Sequence, residues 1–177
     1  MLAPLVPSAG MQMSASLATS TNNESRSMVV PEPPMTGSCL CGAVQVRVTA
    51  PALLTLACHC RDCQKLTASA FSLTTMVPKE GFSCTGPLIK GGLGHSQRAH
   101  YFCKSCLNFI YSQVAWAEHR INLRTAVLDN AASFPPFVEV MTKDKLPWAN
   151  VSAAHSFATV PETLDQLNAL MDAYAKQ

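Results

Sequence analysis

Seven of the eight cysteines fall in three tight groups, Cys39/Cys41, Cys58/Cys60/Cys63 and Cys103/Cys106, and Cys84 stands apart. Thiols at such spacing are metal ligands. Zn²⁺ takes four donors in a tetrahedron, with sulfur at about 2.3 Å, and two donors from each of two turns commonly close the site. Cys103-Lys-Ser-Cys106 is one such half. Cys39-Leu-Cys41 is a matching half, because Gly42 behind it permits the bend that aims both sulfurs at one ion. Four thiolates leave no open position, so this pairing predicts a structural zinc. Cys58-His-Cys-Arg-Asp-Cys63 offers three thiols within six residues. Three ligands leave a fourth position for water or substrate, which is the anatomy of a catalytic zinc. Spacing alone leaves Cys84, His59 or His100 open as a donor that would close this site too. Iron also accepts four thiolates; the mixed Cys-x-Cys and Cys-x-x-Cys turns favour zinc, two ions per chain. Seven grouped thiols do not suit a paired disulfide framework, and a chain with a substantial core does not need one.

The elements that would carry these groups read mostly as strands. In 43–48 (Ala-Val-Gln-Val-Arg-Val), Val44, Val46 and Val48 alternate with Gln45 and Arg47, the pattern of a half-buried strand. A β-rich run at 70–77 closes at Pro78, and five glycines between Gly81 and Gly94 mark turns and short strands. His100-Tyr-Phe102 and Phe109-Ile-Tyr111 flank the Cys103/Cys106 turn as a zinc-knuckle hairpin. Ile121, Leu123, Thr125 and Val127 alternate again, and 137–141 is a further strand after Pro135-Pro136. One helix stands out, at the C-terminal end. Thr159-Val-Pro-Glu162 fits a capping box, with Leu164, Leu167, Met171 and Tyr174 on one face as core. Trp116 and Trp148 read as packing residues, and Cys84 as a small buried hydrophobe.

Composition excludes some classes. Apolar residues make up 48% and charged residues 14%, against a usual ~25% charged. Thirteen basic and eleven acidic residues give a net charge of +2 with no basic stripe, which argues against nucleic acid as a partner. No apolar run reaches the ~18 residues of a membrane span. Residues 1–35 carry three charges (Glu24, Arg26, Glu32), many Ser and Thr, and no periodicity. They read as a disordered tail, or as an extension ahead of a natural start at Met28 or Met35. Free thiolates need a reducing compartment, so the cytoplasm is expected.

Gly37-Ser-Cys-Leu-Cys-Gly-Ala-Val44, Cys58-His-Cys-Arg-Asp-Cys63 with Ala68-Ser-Ala-Phe71, and Tyr101-Phe-Cys-Lys-Ser-Cys106 together resemble the glutathione-dependent formaldehyde-activating enzyme and centromere protein V family. Lys145-Leu-Pro-Trp148 fits as well. The resemblance covers residues 36–160, leaving 161–177 as a helix packed on the domain. It implies a mainly β fold, an Mss4-like zinc-bearing β-sandwich or β-tent. It also implies Cys39, Cys41, Cys103 and Cys106 on a structural zinc, and Cys58, Cys60 and Cys63 on a labile, catalytic one. The chain departs from the family at Leu107, where glycine is usual. Leucine resists a positive φ, and Asn108 next to it tolerates that geometry better.

The family's reaction joins formaldehyde and glutathione to S-(hydroxymethyl)glutathione and reverses it, a carbon–sulfur lyase chemistry. A small thiol, by default glutathione, and a small aldehyde are the expected partners. An open zinc position suits either partner, since coordination deprotonates a thiol and polarises a carbonyl oxygen. Three thiolates on Zn²⁺ leave a net negative site, for which Arg61, Lys65, Lys90 and Arg98 are candidate counter-charges if they are not simply solvated. Asp62 is a candidate to orient a ligand, His100 to move a proton, and Gly91-Gly-Leu-Gly94 to cradle a carboxylate. His59, lying between two ligands, is expected to turn its ring away. The alternative to an enzyme is a non-catalytic zinc module that binds a macromolecule. A closed three-cysteine site would favour the module.

Overall fold

A computed structural model describes residues 30–92 and 97–177. Most of the tail at 1–35, and Leu93 and Gly94 of the glycine run, lie outside the described residues. Met35 opens the first strand and is 2% exposed, in the same core cluster as Val44, Val46 and Val48.

Eleven strands follow in chain order: β1 Met35–Ser38, β2 Gln45–Val48, β3 Leu54–Cys58, β4 Ser72–Pro78, β5 Phe82–Thr85, β6 Leu88–Gly91, β7 Arg98–Cys103, β8 Phe109–Val114, β9 Arg120–Arg124, β10 Val138–Val140 and β11 His155–Ser156. Helix α1 (Arg61–Thr67) lies between β3 and β4, and α2 (Leu164–Tyr174) follows β11. The strands form two sheets, a small one in the order β1-β2-β5 and a large one in the order β11-β10-β3-β4-β9-β8-β7-β6. The fold is mainly β with a C-terminal helix, as expected. The large sheet is antiparallel except at one edge, where β10 runs parallel to β3 and β11 parallel to β10.

The pleat sends alternate residues to opposite faces of the large sheet. Ile121 and Leu123 of β9 join Val77 and Ile110 in the core that the small sheet's valines share. Arg120, Asn122 and Arg124, in between, line a cavity on the other face. Burial at Ile121, Leu123, Thr125 and Val127 follows the expected alternation, although the strand ends at Arg124 and a 3₁₀ turn continues from Thr125 to Val127.

Three expectations change. First, α1 arises inside the Cys58–Cys63 motif, where no helix is expected. Seven residues are too short a stretch for a periodic signal. Secondly, the cap of α2 is Thr163, not Thr159. The Thr163 hydroxyl accepts the Gln166 N–H at 3.2 Å, and the Gln166 side chain accepts the Glu162 N–H at 2.7 Å. The buried stripe moves with it: Leu170 and Tyr174 are buried, whereas Leu164 is 73% exposed. Thirdly, Trp116 and Trp148 do not pack inside; they are 63% and 70% exposed.

Candidate functional site

β3 delivers Cys58 at its last residue, and Cys60 then caps α1. Cys60 has extended backbone, and its sulfur accepts the Cys63 N–H at 3.4 Å. The cap therefore brings together two of the three sulfurs. The sulfurs of Cys58, Cys60 and Cys63 all lie within 4.8 Å of one another. Neighbours hold the turn: Gln64 Nε2 donates to the His59 carbonyl at 2.6 Å and to the Asp144 carbonyl at 3.0 Å. Thr67 Oγ1 donates to the Cys63 carbonyl at 2.8 Å. Arg61 donates to Gln64 Oε1.

The second group joins the β1–β2 turn to the β7–β8 turn. Cys39 Sγ lies 3.5 Å from Cys41 Sγ, and Cys41 Sγ lies 3.8 Å from Cys103 Sγ. Cys106 completes a set within 4.8 Å. A tetrahedron with sulfur at about 2.3 Å from its centre spaces the sulfurs by about 3.8 Å, so the donor set fits one zinc ion. Gly42 takes φ +76° at the expected bend, and the Val44 N–H donates to Cys39 Sγ at 3.2 Å. In the other turn the left-handed geometry falls on Leu107 itself, at φ +57°, and not on Asn108. The Leu107 N–H reaches the Cys103 carbonyl at 2.9 Å, so the knuckle closes as it would with glycine. Asn108 instead ties the two turns together, because its Oδ1 accepts the Leu40 N–H at 3.1 Å.

The two sulfur groups differ in surroundings. Cys58, Cys60 and Cys63 border a cavity of about 380 Å³, and the four-sulfur group does not. The cavity floor is the open face of the large sheet. Leu54, Leu56, Val138 and Val140 make its apolar half, and α2 closes that side with Leu164, Leu167 and Leu170. The apolar stripe of α2 is therefore cavity wall as well as core. Arg98, His100, Ser112 and the β9 trio make the polar half.

Electrostatics within the three-sulfur group are uneven. Its hydrogen bond with Cys58 draws the Cys63 thiol down to about 5 against the effect of burial; Ser72, Cys60 and the Arg124 charge add to the pull. The same hydrogen bond and burial push the Cys58 thiol up. Burial lowers Arg124 to about 10, while the Cys63 and Cys58 charges oppose the drop, so its guanidinium stays cationic at neutral pH. Arg124 also lies over the Phe109 ring at 4.7 Å from the centroid.

Among the expected counter-charges, only Arg98 reaches the cavity. Arg61, Lys65 and Lys90 are exposed. Arg120, Asn122 and Arg124 were not singled out by motif, although the alternation of Ile121 and Leu123 marks them as one face. Neither His59, His100 nor Cys84 joins the three sulfurs. The His59 ring is buried, with Nε2 3.1 Å from Glu139 Oε2. His100 is buried edge-on to Phe109 and borders the cavity. Asp62 is exposed at the cavity margin. Cys84 is half-buried on β5, and burial followed by the nearby Cys39 charge pushes its thiol up to about 11.

Residues 34–144 match the family described as "Glutathione-dependent formaldehyde-activating enzyme". The chain belongs to this family. Both sulfur groups fall inside the matched segment, and α2 lies beyond it. Among solved structures, the chain is similar to a protein from Rhodobacter sphaeroides, with 20% identity and a TM-score of 0.46 over 54% of this chain and 88% of that one. No curated protein matches significantly. Among the described residues, no helix is long and apolar enough to cross a membrane.

Proposed function

We propose that this member of the formaldehyde-activating family is a zinc-dependent carbon–sulfur lyase that makes and breaks a thiol–aldehyde adduct, with glutathione and formaldehyde as its substrates. One observation carries the reading: the three-sulfur group borders a cavity of about 380 Å³, whereas the four-sulfur group is built into the joint between two turns. Cys58, Cys60 and Cys63 would hold the catalytic zinc, and Cys39, Cys41, Cys103 and Cys106 the structural one. At the three-cysteine position zinc supplies Lewis acidity and lowers the pKa of a bound thiol.

The protein's own residues account for the rest. The cap of α1 and the Gln64 hydrogen bonds fix the sulfur geometry before substrate arrives. Arg124, charged and close to Cys63 and Cys58, offsets the negative charge that a fourth sulfur would add. The apolar wall of β3, β10 and α2 keeps water from the reacting carbon and strengthens the Arg124 interaction. The cavity also favours an enzyme over a non-catalytic module, because a binding surface for a macromolecule needs no concave, largely apolar pocket beside the sulfurs.

The adduct forms spontaneously, so the test is two-dimensional exchange NMR on labelled formaldehyde and glutathione with zinc-loaded protein. Faster interconversion that disappears in Cys60→Ser is the expected result. An unchanged exchange rate with zinc present in both groups rules the reading out.

A further inference from the structure

The polar half of the cavity holds more positive charge than the sulfurs require. The Nε atoms of Arg98, Arg120 and Arg124 are all buried without a hydrogen-bond partner among the described residues. The ion pairs found among the described residues both go to Glu139, and none involves these arginines. Asp62 and Glu162 border the cavity, yet neither pairs with a guanidinium. Burial lowers the pKa of Arg120, and the Arg98 charge adds to the drop; the Arg98 charge also lowers Arg124, so the three cations act on one another. Buried donors without acceptors cost stability, and so do unpaired buried charges.

Strand register shows where these cations sit. Arg98 lies opposite Val114, and continuing the pairing of Ser112 with Asn122 puts Arg120 opposite Val114 from the other side. The two arginines thus flank Val114 on one row of the sheet. Cys58 pairs with Ser72, Arg124 with Thr74 and Arg120 with Pro78, all along β4. At a strand spacing of about 4.8 Å and a rise of about 3.3 Å per residue, Arg124 lies roughly 12 Å from Cys58 between Cα atoms, and Arg120 roughly 22 Å. Arg124 serves the sulfur end of the cavity, and the Arg98/Arg120 pair stands at the far end.

We propose that Arg98 and Arg120 form a carboxylate-binding subsite at the end of the cavity remote from the sulfurs. The thiol that enters must then be long and must carry a carboxylate several bonds from its sulfur. The orientation rests on the lyase reading, which places the substrate sulfur at Cys58, Cys60 and Cys63. Two guanidinium forks facing one space match the planar, bidentate geometry of a carboxylate. The apolar wall opposite accommodates the methylene and backbone length in between. Short thiol acids cannot span the gap, and neutral or amine thiols leave the arginines unpaired.

The test is calorimetric binding to the zinc-loaded full chain with two probes that lack a free thiol, S-methylglutathione and its diethyl ester. The expected result is that the diacid binds at least tenfold tighter than the ester. Arg98→Gln and Arg120→Gln should each remove most of that difference and leave ester binding within about twofold, as expected for loss of a charge-assisted pair. The melting temperature of the ligand-free variants should hold or rise, because each substitution removes a half-buried cation that has no ion pair among the described residues. Equal binding of acid and ester, unaltered acid binding in both variants, or a fall in melting temperature that accounts for the lost binding overturns the subsite. Exchange NMR on the same samples separates the two claims. Arginine-dependent acid binding without accelerated exchange sinks the lyase and keeps the subsite. Accelerated exchange that is the same with glutathione and its diester sinks the subsite and keeps the lyase.

Discussion

Glu139 accepts hydrogen bonds from both His59 Nε2 at 3.1 Å and Lys145 Nζ at 2.7 Å. His59 stands between Cys58 and Cys60, Glu139 lies on β10, and Lys145 follows the 3₁₀ turn that contains Asp144. One carboxylate therefore pins the sulfur-bearing turn to the edge of the large sheet. Lys145 opens the Lys145-Leu-Pro-Trp148 motif, which gives the motif a physical role. Trp148 itself is exposed and takes no part in it.

The first prediction follows from that carboxylate. Burial alone would push the Glu139 carboxyl up, but hydrogen bonds from Lys145, Ser156 and His59 and the Lys145 charge hold it below the ordinary carboxylate range. A folded value below the unfolded one means that the stabilisation is fully present above the unfolded pKa of about 4.3. It is lost as the pH falls through the lower folded value. Glu139→Gln should cost about 1–3 kcal/mol at pH 7. Urea midpoints measured from pH 7 down to pH 3 should show the gap between wild type and variant closing at the acid end. A gap that stays constant over that range would place the effect in packing and not in the charge.

How much of this was legible in the sequence depends on how local each signal is. The cysteine groups and the Val44/Val46/Val48 alternation are read from neighbours along the chain, and the structure places those residues accordingly. Arg120, Asn122 and Arg124 show the limit. Their alternation marks a polar strand face, but whether such a face meets water or a cavity depends on β7, β8 and α2, far away in sequence. The Leu107 geometry was hidden for a similar reason. The penalty for a left-handed leucine predicts displacement to Asn108, yet Asn108 is held by its bond to Leu40 across the joint of the two turns. The exposed tryptophans break a compositional habit that no local pattern corrects.

Leu107 yields the second prediction. A left-handed non-glycine residue costs roughly 1–2 kcal/mol, and glycine's extra freedom in the unfolded chain returns about 0.5–1 kcal/mol of that. The side chain is 67% exposed, so little packing is lost on its removal. Leu107→Gly should stabilise the zinc-loaded protein by up to about 1 kcal/mol. Leu107→Val, β-branched at the same φ, should destabilise it. Chemical denaturation of the three proteins side by side decides the matter, and an order with glycine below leucine would contradict the strain argument.

The third prediction concerns the α2 wall. Leu170 is buried against the sheet, while Leu164 is largely exposed at the cavity edge. Leu170→Ala should cost about 2–4 kcal/mol, in the usual range for a buried leucine. Leu164→Ala should change stability by less than about 0.5 kcal/mol, as exposed substitutions do. If the leucines of α2 line the substrate cavity, Leu164→Ala should nevertheless alter ligand affinity in the calorimetric assay. Stability curves and binding isotherms on the same preparations separate these roles.

The last prediction sets the two sulfur groups against each other. Cys39 and Cys103 are buried, and with Cys41 and Cys106 they hold the β1–β2 turn against the β7–β8 turn. Zinc held there contributes directly to folding free energy. Cys103→Ser should leave one zinc per chain and lower the melting temperature by well over 10 °C. Cys60→Ser should also leave one zinc per chain, yet shift the melting temperature by only a few degrees, because the Gln64 and Glu139 bonds still hold that turn. A chelator added to the wild type should remove one zinc quickly, from the group that faces the cavity, with little change in circular dichroism. The second zinc should leave only as the fold opens. Zinc release followed with a colorimetric indicator, alongside circular dichroism, reads both steps. Simultaneous release of both ions with unfolding would show that the cavity-facing group is as integral to the fold as the one that joins the two turns.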